Sequence, residues 1–230
     1  MPRCRRELVD GSFYHVLNRG NRKQQIFYDE VDYSAFSKYA SNALDTFPLK
    51  IYAYCLMPNH FHFLVRADHS SNLSKWVHSL GTRYALLFHH KHETTGHVYQ
   101  GRFKSFMIEN EDHLNIVTRY VERNPVQAGL VPSSYDWKWS SHYERTRNRR
   151  FLLCDEEFRI ERSNWTAYVD TPMTESDTIK IKNCIKREAP FGNEAWVEQT
   201  CKRLGLEKTI RPRGRPKKKK GACPLFTSGR

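Results

Sequence analysis

The sequence predicts an α+β fold of the ferredoxin-like type, a β-α-β-β-α-β order that builds one four-stranded antiparallel sheet. Three observations favour this fold. Four short runs are rich in the aromatic and β-branched residues that strands prefer, two longer segments repeat apolar residues at spacings of three and four, and a Pro-Asn pair separates the middle two strands. Both helices are expected on one face of the sheet, which would leave the other face open.

Each predicted strand is bounded by residues that favour turns. The run at 13–17 precedes an Asn-Arg-Gly-Asn turn, and Pro58-Asn59 is short enough to make an antiparallel hairpin. In the last strand, alternation places Gln100, Arg102 and Lys104 on one face. The predicted strands are residues 13–17, 51–57, 60–67 and 99–108.

The predicted helices follow from apolar periodicity and from their ends. The first spans residues 32–47 and is stopped by Pro48, and the second starts near Ser71-Asn72 and fades at the histidines from His89 onward. A third helix starts at Glu111. We expect it to end at Asn124, because the residue before a proline is pushed out of the helical region.

The charge of the chain indicates a polyanionic partner. The 230 residues hold 38 Lys and Arg against 25 Asp and Glu, which gives a net charge of +13. Residues 211–220 hold seven of the basic side chains, so the remainder still carries +6. Because basic side chains bind phosphates with release of counterions, nucleic acid is the expected partner.

Cysteine usage and hydropathy exclude two other classes of protein. The six cysteines are scattered without a Cys-x-x-Cys pair, which is typical of reduced thiols rather than of a secreted disulfide scaffold. No apolar run approaches the roughly 18 residues that span a bilayer, and the start leads into no secretory segment. We therefore expect a cytoplasmic, nucleoid-associated protein without membrane contact.

A histidine pair is the strongest candidate for a functional site. On a strand, His60, His62 and Leu64 share one face while Phe61 and the following hydrophobes point into a core. Two imidazoles at this spacing are able to bind one metal ion. The alternative is a pair of ordinary histidines on a sheet surface. A second cluster at residues 89–97 lies in a polar Gly- and Thr-containing segment, which favours solvated surface over a zinc site.

Tyr120 and Asn124 lie on one stripe of the third predicted helix, because residues four apart are neighbours on a helix surface. For Tyr120 the alternative role is an aromatic side chain that packs on the sheet. For Asn124 it is a cap near Pro125. Arg102 and Lys104 are candidates for contacts with a DNA backbone, although exposed basic residues are common on any surface.

Two motifs in this order resemble the REP-associated tyrosine transposases, the single-strand transposase branch of the His-hydrophobic-His endonucleases. They are Met-Pro-Asn-His-Phe-His at residues 57–62 and Tyr-Val-Glu-Arg-Asn-Pro-Val-Gln-Ala-Gly at residues 120–129. The resemblance extends through Gly-Arg-Phe-Lys at residues 101–104, Trp-Lys-Trp-Ser-Ser at residues 137–141, and residues 190–192 to the tail.

The resemblance implies the roles of four residues. His60 and His62 match ligands of Mg²⁺ or Mn²⁺, and Tyr120 matches a nucleophile that attacks a single-stranded DNA phosphodiester. Asn124 matches the last protein ligand, where some relatives use glutamine. The implied products are a 5′-phosphotyrosyl enzyme and a free 3′-hydroxyl. This linkage retains the bond energy, so the strand can be rejoined without ATP.

The C-terminal third predicts two short helices, residues 178–188 and 193–204, in which Asn193 is an N-cap and Gly205 a stop. They form either a small DNA-binding element or a cap on the larger domain. The tail resembles an AT-hook that enters the minor groove of A·T-rich duplex; a disordered basic tail is the alternative. The residues of this motif are Arg213, Gly214, Arg215 and Lys217.

The predicted organisation is a catalytic domain at residues 1–150, a connector and helical region at 151–208, and a flexible tail at 209–230. The predicted activity is cleavage and rejoining of single-stranded DNA or DNA hairpins by a monomer or homodimer. Two alternatives remain: a nicking enzyme of the replication-initiator or relaxase kind, and a DNA-binding regulator that has lost catalysis.

Overall fold

The computed structural model describes residues 7–147, 151–153 and 164–211. Single-turn 3₁₀ helices lie at residues 21–23 and 134–136. The elements in chain order are β1 (Phe13–Arg19), α1 (Glu30–Thr46), β2 (Lys50–Met57), β3 (His60–Arg66), α2 (Ser70–His92), β4 (Lys104–Ile108), α3 (Glu111–Gln127), α4 (Ser141–Thr146), α5 (Trp165–Asp170), α6 (Glu175–Arg187), α7 (Glu194–Leu204) and α8 (Glu207–Ile210).

The four strands form one antiparallel sheet in the order β2-β3-β1-β4. This order and the β-α-β-β-α-β connectivity confirm the predicted ferredoxin-like fold. The hairpin between β2 and β3 turns at Pro58-Asn59, as predicted. β1 pairs with β3 so that Arg19 lies opposite His60 and Leu17 lies opposite His62.

α1 and α2 cover one face of the sheet. Phe61, Phe63 and Val65 of β3 belong to the core under these helices, as their alternation predicts. The Nε1 group of Trp76 on α2 donates to the carbonyl oxygen of Ala40 on α1 at 3.0 Å, which fixes the two helices together. α1 begins at the Asp29 side chain, which accepts a hydrogen bond from the Asp32 backbone N–H.

The opposite face of the sheet is covered, so the expectation of an open face is wrong. Leu64 and Phe106 lie in a second core with Leu114 and Val117 of α3, because this helix folds back across the sheet with its apolar stripe inward. Residues of the C-terminal region also belong to this core: Ile181, Cys184, Ala189 and Phe191.

Both outer strands of the sheet are paired with irregular segments. On β2, the Leu56 N–H donates to the Trp139 carbonyl at 2.9 Å. On β4, Phe191 N–H donates to the Met107 carbonyl at 2.8 Å, and Glu109 N–H donates to the Phe191 carbonyl at 3.0 Å. These bonds satisfy backbone groups that would otherwise template pairing with a second chain.

Three predicted boundaries are corrected. The last strand begins at Lys104 rather than at residue 99, so Arg102 lies on the preceding loop; only an isolated bridge joins Tyr99 to Gly20. α2 continues into the histidine cluster and ends at His92, and α3 continues past Pro125 to Gln127. In contrast, the side chain of Asn193 caps α7 and Gly205 ends that helix at φ +65°, as predicted.

In the described ranges, no helix is long and apolar enough to cross a membrane.

Candidate active site

A cavity of about 300 Å³ lies between the sheet and α3, at the end of the sheet where β1 meets the β2-β3 turn. His60, His62, Tyr120 and Asn124 all line it. The four residues come from two elements 60 positions apart in the sequence, β3 and α3, and they meet within one chain. The structure therefore brings together every site residue that was predicted on these two elements.

Three of the rings that line the cavity lie close together. The ring centroids of His60 and His62 are 4.9 Å apart, and those of His62 and Tyr120 are 6.0 Å apart. His62 is 2% exposed and Tyr120 is 6% exposed. The prediction that the histidines look out from an open face is thus wrong, because α3 encloses them in a cleft.

The ring nitrogens of the histidines are arranged as in a metal site. Nδ1 of His60 is 2.6 Å from Oδ1 of Asn59, and Nδ1 of His62 is 2.8 Å from Nε2 of His15. Metal-binding histidines typically engage one ring nitrogen in this way and bind the ion with the other. Nε2 of His62 is buried and has no hydrogen-bond partner among the described residues. The residues present therefore fit a divalent ion.

Both imidazoles remain neutral at ordinary pH. Burial lowers the pKa of His60 to about 3, and the charge of Arg19 acts in the same direction. Burial also lowers the pKa of His62 well below its usual value, with smaller contributions from His60, His15 and Arg19. A neutral imidazole has a free lone pair, which is the form that binds metal.

Burial raises the pKa of the Tyr120 phenol, and the nearby charge of Arg19 opposes that shift. The phenol is therefore protonated at neutral pH in the protein alone. Additional positive charge beside the hydroxyl would be needed to make it a nucleophile.

Asn124 supports the helix as well as facing the cavity. Its Nδ2 donates to the Tyr120 carbonyl at 2.7 Å and lies 3.4 Å from the Val121 carbonyl. Pro125 has no N–H for that second carbonyl, so the amide helps α3 continue past the proline. Because the nitrogen is bound to the helix, the oxygen is the atom of this amide that is left for a ligand.

Three polar residues in the cavity were missed by the sequence analysis: Arg19, Gln127 and Lys182. Arg19 lies beside His60 in the sheet register, and its Nε is buried without a partner in the described part of the chain. Gln127 follows Asn124 by three residues on α3, a spacing that would have identified it if the helix had not been predicted to stop at Pro125. Lys182 comes from α6, which no local pattern connects to this cleft.

Arg102 and Lys104 line a second cavity of about 370 Å³. This cavity shares Leu17, Arg19 and Ile185 with the first one, so the two adjoin. Although Arg102 is on a loop rather than on the predicted strand, both basic residues lie next to the candidate active site. Their contact with DNA stays a prediction.

Two other predicted features lie apart from this site. The ring of His89 bonds to Thr94 at 2.9 Å and to the Gly96 carbonyl at 3.1 Å, whereas His92 lies against Asp32. In the described residues, His, Cys, Asp and Glu side chains form no group of three or more that could hold a metal ion. The AT-hook-like residues Arg213, Gly214, Arg215 and Lys217 lie outside the described residues.

Residues 9–124 match the family described as Transposase IS200 like. The chain belongs to this family of transposases. The match spans half of the chain and includes β1 to β4 and most of α3, so it contains all four predicted residues of the cavity. Residues of the C-terminal region that pack on the second core, from Ile181 to Phe191, lie beyond the match.

Two comparisons show what this IS200-like transposase is similar to. A Haemophilus influenzae protein assigned as a REP-associated tyrosine transposase is 23% identical over 155 residues, which cover 62% of this chain and 86% of that protein. A solved REP-associated tyrosine transposase bound to a REP hairpin has the same fold, with a TM-score of 0.54 and 20% identity. That alignment covers 71% of this chain and 96% of the other. The predicted resemblance is confirmed.

Proposed function

We propose that this transposase cleaves and rejoins single-stranded DNA, with Tyr120 as the nucleophile and with Mg²⁺ or Mn²⁺ bound by His60, His62 and Asn124. One observation carries the proposal. The Tyr120 ring is 6.0 Å from the ring of His62, whose buried Nε2 has no partner in the described ranges, and both residues line one cavity. A phenol and an imidazole nitrogen without a hydrogen-bond partner in one cleft are the two parts that the reaction needs.

The ligands proposed for the ion are neutral. His60 and His62 would bind through Nε2, since the Nδ1 atom of each ring is already engaged, and Asn124 through its amide oxygen. Because these ligands carry no negative charge, a divalent ion held by them would remain a strong Lewis acid and would polarise the DNA phosphate.

The side chains account for the remaining requirements of the step. The Tyr120 oxygen attacks the phosphorus, the bond to the 3′ oxygen breaks, and the phenolic proton is balanced by the proton that the departing 3′ oxygen takes up. Arg19 already opposes the raised pKa of the phenol, and from the wall of the cavity it would contact a second phosphate oxygen. The 5′-phosphotyrosyl bond then reacts with the 3′-hydroxyl of another strand.

The proposed substrate is a DNA hairpin with a single-stranded flank. The solved relative is bound to a REP hairpin, and the net charge of +13 favours such a polyanion. Arg102 and Lys104 in the adjoining cavity would hold backbone phosphates of the flank. The basic motif at Arg213, Gly214, Arg215 and Lys217 would add contacts to A·T-rich duplex.

The decisive experiment is to incubate the full chain with labelled single-stranded hairpin DNA and Mn²⁺ and to run a denaturing gel. We expect a protein-DNA adduct that Tyr120→Phe abolishes. Tyr28→Phe is the matched control, because Tyr28 is exposed and packs against α2 on the other side of the sheet. Intact DNA with the wild-type protein, together with tight duplex binding, would contradict the proposal and favour a regulator without catalysis.

A second acceptor strand distinguishes the transposase from a nicking enzyme with the same fold. We expect a new joined product when an unlabelled strand with a free 3′-hydroxyl is added to the preformed adduct. An adduct that releases only hydrolysed ends would favour the nicking enzyme instead.

A further inference from the structure

A third histidine, His15, lies directly behind the proposed metal ligands. It is on β1, is 1% exposed, and is opposite Leu64 and Phe106 in the register of the sheet. Its ring contacts the ring of Phe106 at a centroid distance of 4.7 Å and reaches diagonally to His62 on β3. Neither the sequence patterns nor the family resemblance gave this residue a role.

The contact between the two rings permits only two arrangements of one proton. Nε2 of His15 and Nδ1 of His62 are 2.8 Å apart, so one nitrogen donates and the other accepts. If His62 donates from Nδ1, its Nε2 carries a lone pair. If His15 donates, the proton of neutral His62 is on Nε2, and that nitrogen is unable to bind a metal ion.

We infer that His15 is a positioning residue, which accepts the Nδ1 proton of His62 and thereby holds His62 Nε2 unprotonated toward the cavity. This inference rests on the proposed metal role of His62. It extends that role to a residue that is not among the proposed ligands and does not line the cavity.

The position of β1 explains why a side chain serves as the acceptor. β1 pairs with strands on both sides, so its carbonyl groups over this stretch are used in the sheet. A carboxylate would also accept the proton, but it would place a negative charge in a buried site that must attract phosphate. A neutral imidazole accepts the proton without that charge, and packing against Phe106 holds its ring in place.

Two substitutions separate the hydrogen bond from the packing. His15→Gln keeps an acceptor near the position of Nε2, whereas His15→Phe keeps a buried ring and removes the acceptor. The first measurement is Mn²⁺ affinity of the full chain, by electron paramagnetic resonance of the free ion without DNA. We expect Phe to weaken binding by about 10- to 100-fold and Gln to stay within about threefold of the wild type.

The second measurement is the tautomer of His62 in the metal-free wild type, from long-range ¹H–¹⁵N spectra of the histidine rings. We expect the proton on Nδ1. A proton on Nε2, or equal Mn²⁺ affinity in wild type and Phe variant, would overturn the inference. Equal weakening in both variants would also overturn it, because it would indicate packing alone. If His15→Phe does not fold, the tautomer and the Gln variant still decide.

The same measurements distinguish failure of the proposed metal-dependent function from failure of the role of His15 alone. A wild-type protein that binds no Mn²⁺ overturns both the metal proposal and the role of His15. A wild type that binds Mn²⁺ and forms the Tyr120 adduct, with unchanged affinity in His15→Phe, overturns the role of His15 alone.

Discussion

Tyr120 and Glu122 are two residues apart on α3, and they are buried in opposite kinds of environment. Glu122 is fully buried and accepts from Trp165 Nε1 at 2.7 Å, from Ser141 Oγ at 2.5 Å and from Arg145 Nε at 3.1 Å. His142 Nδ1 lies 3.3 Å from its second oxygen. In the cavity, by contrast, His62 Nε2 and Arg19 Nε have no partner among the described residues.

The electrostatics of the two sites differ in the same way. Burial would raise the pKa of Glu122, but Arg145, His142 and Ser141 together lower it to about 2. At the cavity, burial raises the pKa of Tyr120, and Arg19 offsets this only in part. A buried polar group with all of its bonds made is typical of a structural role, whereas unmatched buried atoms indicate a place for a ligand.

Tyr120→Phe gives the largest expected effect of the comparison. Adduct formation should fall more than about 10³-fold, because phenylalanine has no oxygen to attack the phosphate. The free energy of unfolding should change by less than about 1 kcal/mol, since the ring still fills the same space. Single-turnover adduct formation and urea denaturation measure the two quantities. A loss of stability of about 3 kcal/mol would instead assign Tyr120 to the core.

Glu122→Ala should have the opposite effect, a large loss of stability with no loss of function in the cavity. Removal of the carboxylate takes away the buried acceptor of Arg145 Nε and of the Trp165 N–H and the contact with His142, and such losses cost about 3 to 5 kcal/mol. The midpoint of thermal unfolding should fall by roughly 10 °C. Where the variant is folded, Mn²⁺ affinity should match that of the wild type. A selective loss of Mn²⁺ binding would show that the two sites are one.

The sequence was sufficient for the four strands, for the three helices that pack on them, and for four of the residues that meet in the cavity: His60, His62, Tyr120 and Asn124. It did not predict that the face of the sheet with the histidines is covered, although the strands carry a sign of this. Leu17, Leu64 and Phe106 are apolar on the face that was expected to be open, and strands that are apolar on both faces indicate a sheet covered on both sides. The polar histidines on that face favoured the interpretation as an open face.

The partners of the histidines were beyond sequence reasoning for a different reason. Contacts of His15 and Arg19 with β3 depend on the strand register, and the contact of Lys182 depends on how α6 docks on α3. A local periodicity of the sequence predicts neither the register nor the docking. Gln127 could have been predicted, but the rule that a proline ends a helix excluded it. The rule fails here because the Asn124 side chain lies within reach of the Val121 carbonyl that Pro125 leaves without an N–H, and α3 continues.

The buried histidines and Glu122 should affect the free energy of unfolding in different ranges of acidic pH. The pKa of His15 and of His60 is lowered to about 3, and that of His62 is lowered well below its usual value, whereas an unfolded histidine titrates near 6.5. The unfolded chain therefore binds more protons below pH 6.5, and the stability that these groups contribute is lost as the pH falls from about 6.5 toward 3. Each contributes a slope of up to about 1.4 kcal/mol per pH unit.

Glu122 affects the free energy of unfolding in a lower pH range than the histidines. Its pKa is about 2 in the folded chain against 4.5 as the ordinary value, so its contribution is lost only as the pH falls through that interval. Urea denaturation between pH 7 and 5 with a chelator should show a smaller slope in His15→Phe and an unchanged slope in Glu122→Gln. The same slope in wild type and His15→Phe would contradict the assignment of neutral, buried histidines.

Asn124 both hydrogen-bonds within the helix, like a structural residue, and lines the cavity, like a ligand. Its substitution should have the smallest effects on stability and Mn²⁺ binding, but it tests both roles at once. Asn124→Ala removes the bonds to the Tyr120 and Val121 carbonyls and should cost about 1 kcal/mol of stability. It should also weaken Mn²⁺ binding about tenfold if the amide oxygen is a ligand. The double variant Asn124→Ala/Pro125→Ala restores a backbone N–H for the Val121 carbonyl. Recovery of stability without recovery of Mn²⁺ affinity would separate the two roles, whereas joint recovery would reduce Asn124 to a support for the helix.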